Sequence, residues 1–141
     1  MSQERLLRTA FLVGAVTDAA AVLPMLIPPL ARFLWGFDAS GGDYRFAMGY
    51  GASLMVGWTG LLVWAYQRPL ERKVVAALTV FVIYGLIATE IVAVATGVLA
   101  VWRIVPTWCL QAVLLALFIG AYHYPFARRA AADTAAAARM R

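Results

Sequence analysis

The stretch VVAALTVFVIYGLIATEIVAVATGVLAV, residues Val74 to Val101, decides how this chain folds, because a single acidic side chain, Glu90, interrupts a run that is otherwise apolar or uncharged. A hydrocarbon layer of about 30 Å takes about 20 apolar residues of helix, so this run is long enough to cross a bilayer. Working outward from it, three more apolar stretches stand near Leu6 to Ile27, Tyr44 to Tyr66 and Ile104 to Tyr124. Together they occupy most of the 141 residues and leave no room for a separate soluble domain. Composition agrees: 64% of residues are hydrophobic, 13% are charged and the mean hydropathy is +0.80, whereas soluble domains are about 45 to 50% apolar. The predicted fold is all-α, a four-transmembrane-helix bundle of antiparallel, up-down topology.

The net charge of +5 is distributed by topology. Nine basic residues, Arg5, Arg8, Arg68, Arg72, Lys73, Arg128, Arg129, Arg139 and Arg141, fall at the N-terminus, the second connection and the C-terminus; Arg32, Arg45 and Arg103 fall on the other side. The positive-inside rule then puts both termini in the cytoplasm, N-in and C-in, of a bacterial inner membrane. A basic face with groove-reading partners is not found, so nucleic acid is not an expected partner. The expected partners are the lipid bilayer and either further copies of the chain or a membrane complex. Asp18 breaks the apolar core a cleavable signal peptide would need, so the first helix is read as a retained anchor. Cys109, the only cysteine, lies within a span and gives no lipidation signal.

Prolines and glycines punctuate the chain. Pro24 and the pair Pro28, Pro29 are expected to kink and then end the first helix. Leu30 to Phe37 reads as a short interfacial segment at the outer surface, and Asp38 to Asp43 as a turn-rich loop. Gln67 to Lys73 is short and holds Pro69, which predicts a tight antiparallel hairpin of the second and third spans. Gly97 loosens the end of the third run, and Pro106 suits the first turn of the fourth. Residues 127–141 form an alanine- and arginine-rich tail that favours helix. Trp35, Tyr44, Phe46, Trp102 and Trp108 fall toward one interface, and Trp64, Tyr66, Tyr122, Tyr124 and Phe126 toward the other, as aromatic belts do.

Small residues set the expected packing. Gly49, Ser53, Gly57 and Gly60 make one smooth face on the second span, and Gly14, Ala15, Asp18 and Ala21 make a stripe on the first. Such faces let helices approach closely in lipid, which predicts a seam between the first two spans with Asp18 in it. A rise of about 1.5 Å per residue sorts the polar groups into two layers. Asp18 falls level with Trp58, Thr59 and Tyr84. Glu90 falls about 10 Å away in depth, level with Tyr50, Ser53, Gln111 and Trp108.

Intramembrane acids are expensive and mark functional sites. A carboxyl surrounded by tyrosine, serine and glutamine can exchange a proton, serve as counter-ion to a cationic apolar ligand, or hydrogen-bond helices together. Glu90, Asp18, Tyr50, Ser53, Gln111 and Tyr84 are therefore the candidate ligand or proton site. Other chemistry is poorly supported. One cysteine excludes an internal disulfide relay, and one histidine excludes a bis-histidine haem site within the chain. Cys109 and His123 stand fourteen residues apart on one helix, about 21 Å along its axis, too far for a dyad. Asp38 and Asp43 alone are a poor metal site, so neither cofactor nor metal is expected.

The stretch Tyr44 to Lys73, with Ala47, Met48, Gly49, Gly51, Ala52, Ser53, Gly57, Trp58, Thr59 and then Arg68, Pro69, Glu71, Arg72 and Lys73, resembles a group of small uncharacterised prokaryotic four-helix integral membrane proteins. That resemblance implies the topology and no activity. An acid on the first span and another on the third also resembles the layout of sterol isomerase-like bundles, without the histidine and additional acids those enzymes use. The functional expectation is a small membrane protein that binds or transports a lipophilic or cationic ligand with coupling to protonation of its carboxylates. The alternatives are an accessory subunit assembled through small-residue faces and, third, an intramembrane isomerase-like enzyme.

Overall fold

The computed structural model describes residues 2–37 and 41–139, with side chains described through Tyr124. It is all-α, with five helices: α1 Gln3–Leu26, α2 Pro28–Trp35, α3 Gly42–Gln67, α4 Val74–Ala95 and α5 Val101–Arg139. Four of them, α1, α3, α4 and the Val101–Tyr124 part of α5, are long and apolar enough to cross a membrane. Their outer surfaces fit that solvent. Leu54 is 62% exposed, Phe81 74%, Val92 61% and Val113 55%, far more apolar surface than a water-soluble protein leaves open.

Each boundary has a local cause. Ser2 caps α1, its hydroxyl accepting from the Arg5 amide at 3.4 Å. Pro24 is accommodated inside α1, and the helix ends at Leu26 because the residue before a proline is pushed out of helical conformation: Ile27 has φ −110° and ψ 96°. Pro28 and Pro29 then open α2 at positions where no amide donor is needed. The expected interfacial segment is thus a two-turn helix. The third apolar run stops short of Val101. Gly97, at φ 75°, turns the chain, while the amides of Val98 and Gly97 donate to the carbonyls of Ala93 at 2.9 Å and Val94 at 3.0 Å, a Schellman cap. α5 begins at Val101, three residues before the expected start, so Pro106 falls in its second turn. The alanine-rich tail continues α5 as one helix to Arg139, in keeping with alanine's helix propensity.

α1 is the hub of the packing. It lies most extensively against α3 and next against α5, while α4 leans on α5. The hairpin expected of the second and third spans is a correction: the connection is short, yet α3 and α4 barely touch. Helices joined by a short loop need not pack along their length when each finds a better apolar partner elsewhere.

One end of the assembly is solid. Leu7, Phe11, Leu62 and Phe118 are fully buried there, with Ala10, Ala65, Ala76 and Ala121 between them. The Phe11 and Phe118 rings lie 6.1 Å apart, tilted by 55°. Gly14 is a true close-approach glycine, since a Cβ there would stand 2.9 Å from Phe118 Cζ and 3.3 Å from Leu62 Cδ1. The Gln3 amide donates to the carbonyl of Ala121 at 3.2 Å, tying the start of α1 to α5. At the same end cations lie over rings: Arg72 over Trp64 at 3.7 Å, with a hydrogen bond to the Trp64 carbonyl, and Lys73 over Tyr122 at 5.8 Å.

The remaining stripe residues behave differently. Gly49, Gly57 and Gly60 have nothing within 4 Å of a built Cβ, and Ser53 is exposed with its hydroxyl donating to the Tyr50 carbonyl at 2.7 Å. The α1–α3 contact expected from the small residues exists, but Ala52, Leu62 and Ala65 are the α3 residues buried. The glycine face points away from it.

Candidate functional site

Beyond Phe118 the helices part. Along this half the α1 lining includes Thr17, Asp18, Ala20, Ala21 and Pro24, side chains smaller than Leu7 and Phe11 of the core, together with Val16 and Met25. α4 lies against α5 rather than against α3, and a cavity of about 890 Å³ opens between the helices. Its floor is the top of the core, where Ile83, Leu114 and Phe118 are shared and Gly14 lies against Phe118. Met48, Met55 and Trp58 of α3 and Val82, Leu86 and Ala93 of α4 form its apolar flanks. α2 and the residues after it cover the far end with Phe33, Leu34, Trp35 and Phe37. Phe37 packs in turn on Trp35 at 5.7 Å and on Tyr44 at 6.1 Å between ring centroids.

Two carboxyl groups enter this apolar space, Asp18 from α1 and Glu90 from α4. The reading by depth puts them in separate layers; the cavity is tall enough to contain both. Gln111 of α5 is 4% exposed, and its amide nitrogen donates to Glu90 Oε1 at 2.9 Å. This bond joins α4 to α5 across the cavity wall. The Trp108 indole stands beside the same carboxyl without closing a hydrogen bond to it. The wall is short of partners: Glu90 Oε2, Gln111 Oε1, Trp108 Nε1 and Trp58 Nε1 are all buried without one among the described residues. Each such atom costs about 1 to 3 kcal/mol relative to a satisfied one. Two neighbouring hydroxyls are not in that position, because Thr79 donates to the Val75 carbonyl at 2.8 Å and Thr89 to the Gly85 carbonyl at 3.0 Å.

Of the expected site residues, Asp18, Glu90 and Gln111 come together around one space. Tyr50, Ser53 and Tyr84 do not line it; Tyr50 is 65% exposed and Tyr84 53%. Trp58, expected level with Asp18, is in the same wall. Asp38 lies outside the described residues and Asp43 is exposed. His123 packs edge-on against Tyr122 at 5.2 Å, at the solid end and remote from the acids.

Sequence reasoning missed Arg103. Among the described residues it is the one cationic side chain of the cavity lining, and it hydrogen-bonds backbone carbonyls rather than an acid. Its Nη1 donates to the carbonyls of Arg32 at 3.2 Å and Phe33 at 3.0 Å, the exposed carbonyls at the negative end of α2. Gly36, at φ 78°, ends α2 and makes room: a Cβ there would stand 3.1 Å from the guanidinium carbon. Arg103 therefore fastens α2 over the cavity. The sequence signal was faint, a glycine after a short aromatic segment and a basic residue near the start of a distant helix. No family model, no curated protein and no solved structure matches this chain, so its function is read from the cavity itself.

Proposed function

We propose that this chain is a small integral membrane protein of the bacterial inner membrane, with both termini in the cytoplasm, that binds a lipophilic cation in the cavity beneath α2 and exchanges it for protons on Glu90 and Asp18. The observation that supports this reading is the presence of two carboxyl groups in one apolar cavity whose one cationic lining residue among the described residues, Arg103, hydrogen-bonds the carbonyls of α2 and forms no ion pair with either acid. Two ionised carboxylates without counter-charge are costly in such surroundings. The cavity is electrically satisfied when the acids hold protons or when a cation lies near them. A cation that enters therefore displaces protons, and its apolar body is taken up by Met48, Met55, Val82 and Leu86. The volume lies within the roughly 300 to 1,000 Å³ of small-molecule sites. Carriage across the membrane follows if the cavity opens alternately to either side.

The test is proton release from the protein in lipid nanodiscs on addition of dodecyltrimethylammonium, a cation with no proton of its own to give. Wild type is expected to release protons in a saturable way, and Glu90→Gln to release fewer while keeping its helical circular dichroism. Equal release from both proteins removes Glu90 from the role.

A second reading is favoured by the orientation of Gly49, Ser53, Gly57 and Gly60, which leave a smooth outward strip on α3. In lipid such a strip suits close approach by another helix, as in a homo-oligomer or an accessory subunit. This assembly and the cavity are compatible.

A further inference from the structure

The geometry points to the seam of α1 and α3, with Asp18 as counter-ion and the Trp58 ring beside it, as the place where the charged head of the cation is held. This rests on the reading that the cavity binds a lipophilic cation, and it adds where the charge lies and which ring it meets. Two close approaches fix how the helices face each other. A Cβ on Gly14 would stand 3.3 Å from Leu62 Cδ1, and one on Gly51 would stand 2.8 Å from Met25 Cε. Met25 follows Gly14 by eleven residues and Gly51 precedes Leu62 by eleven, so both contacts belong to one antiparallel register. On α1, Gly14, Asp18, Ala21 and Met25 recur at the spacing of one helix face, and on α3 Leu62, Trp58, Met55 and Gly51 recur at the same spacing in reverse. Asp18 is thereby set level with Trp58, and Ala21 with Met55. All four line the cavity.

The two acids are not equally available to a ligand. Glu90 Oε1 accepts from Gln111 at 2.9 Å and Glu90 Oε2 is buried, so this carboxyl ties α4 to α5. Asp18 is half-buried, and among the described residues it makes no hydrogen bond or ion pair; its oxygens are not among the sealed-off polar atoms. A bare carboxyl in an apolar wall calls for a proton or a cation. Beside it Trp58 brings the ring type that attracts cations most strongly. The Trp58 indole N–H is buried without an acceptor, so it leaves the Asp18 carboxyl unpaired. The α2 end of the cavity repels the same charge, because Arg103 stands there with its guanidinium over the Trp102 ring at 4.6 Å. Asp18 lies nearer the floor, four residues along α1 from Gly14, where a Cβ would abut Phe118, and thus about 6 Å above it. A cation is therefore drawn in head first, with its chain toward α2.

The experiment uses N-dodecylpyridinium, a cation whose ring quenches indole fluorescence on contact, and the full chain in phosphatidylcholine vesicles. Excess dodecyltrimethylammonium, of equal charge and chain but without a quenching ring, marks the part of the quenching that belongs to the site. Three tryptophans line the cavity among the described residues, Trp58 toward the floor and Trp35 and Trp102 at the α2 end, and they report where the head lies. Wild type is expected to show saturable, displaceable quenching. Trp58→Phe is expected to lose most of it while still releasing protons to dodecyltrimethylammonium, whereas Trp35→Phe and Trp102→Phe keep it. Asp18→Asn should raise the half-saturating concentration about tenfold or more, and at least about threefold further than Glu90→Gln does. Displaceable quenching that survives Trp58→Phe, or that is lost in Trp35→Phe or Trp102→Phe instead, overturns the proposal; so does a Glu90→Gln effect within that threefold of Asp18→Asn. The comparison of the two acids decides if Trp58→Phe does not fold, and the tryptophan map decides if Asp18→Asn does not. Wild type with neither displaceable quenching nor proton release ends the cation-binding reading and this proposal with it. Proton release with displaceable quenching carried by another tryptophan leaves that reading standing and rejects the seam alone.

Discussion

The two halves of this helical assembly are built from the same helices and reach opposite results. At the end that holds Gln3, the gaps between α1, α3 and α5 are filled by Leu7, Phe11, Leu62 and Phe118, all fully buried. At the α2 end α1 presents Asp18, Ala20 and Ala21 at corresponding positions, and a cavity of about 890 Å³ remains. The difference lies in side-chain volume and in which neighbour each helix chooses. Lipid supplies no hydrophobic drive to close a gap between helices, so packing must come from shape and contact. Where α1 carries Leu7 and Phe11 the gap closes, and where it carries Asp18, Ala20 and Ala21 it stays open. The solid half holds the core, and the open half holds Asp18 and Glu90.

The strongest way to break this comparison is truncation on each side of the floor. Phe11→Ala removes a fully buried ring that lies tilted against Phe118, and a loss of about 3 to 5 kcal/mol is expected, read from denaturant-induced unfolding in detergent. Leu110→Ala, in the cavity wall and 43% exposed, is expected to cost about 1 kcal/mol or less, because few contacts are lost beside a space that is already open. Equal losses would mean that the two halves are packed alike.

Filling the gap sharpens the same contrast. Ala15 is 5% exposed beside the core, so Ala15→Leu is expected to destabilise by about 1 to 3 kcal/mol through overpacking. Ala21 lines the cavity, and Ala21→Leu is expected to leave the unfolding midpoint unchanged or raised while weakening cation binding. A loss of stability comparable to that of Ala15→Leu would indicate that the space is not available to a ligand.

Much of the helical content was legible, because a bilayer-length apolar run has few other readings, and the prolines, Gly97 and the alanine-rich tail acted through local backbone chemistry. The site was legible only in part. Asp18 and Glu90 stood out because an acid in an apolar run needs a cause, and Gln111 because depth counting put it level with Glu90. Depth counting carries no information about rotation around the helix axis, which is why Tyr50, Ser53 and Tyr84 were grouped with the acids although their side chains stand outside the cavity. Neighbour choice was equally hidden. The short connection suggested that α3 and α4 pack together, whereas the partner of each helix is decided by apolar faces distant in sequence.

The α2 cover supplies a smaller effect. Arg103 fastens the end of α2 through two carbonyl acceptors, and Gly36 holds a left-handed conformation beside it. Gly36→Ala is expected to cost about 1 kcal/mol for the backbone alone. Arg103→Met should leave global unfolding nearly unchanged yet speed amide hydrogen exchange in α2, with α1 and α5 unaffected. Unaltered exchange in α2 would show that the cover is held by its apolar contacts and that the guanidinium is incidental.

The smallest expected effect on the fold comes from the glycines, where two residues of one kind separate the two uses of close approach. At Gly14 a Cβ would meet Phe118 at 2.9 Å, whereas at Gly57 it would meet nothing within 4 Å. Gly57→Leu is therefore expected to change unfolding of the monomer by no more than about 0.5 kcal/mol, while Gly14→Leu forces the core apart. If α3 docks on a second helix through Gly49, Ser53, Gly57 and Gly60, the leucine at position 57 obstructs that approach, and the mass of the assembly in detergent should fall to that of a monomer with the unfolding curve unmoved. A wild-type protein that is already monomeric, or a variant that keeps its assembly, would leave the strip as surface facing lipid. Either result locates the close contacts of the small residues, which Gly14 already makes inside the chain and which the α3 strip can make only outside it.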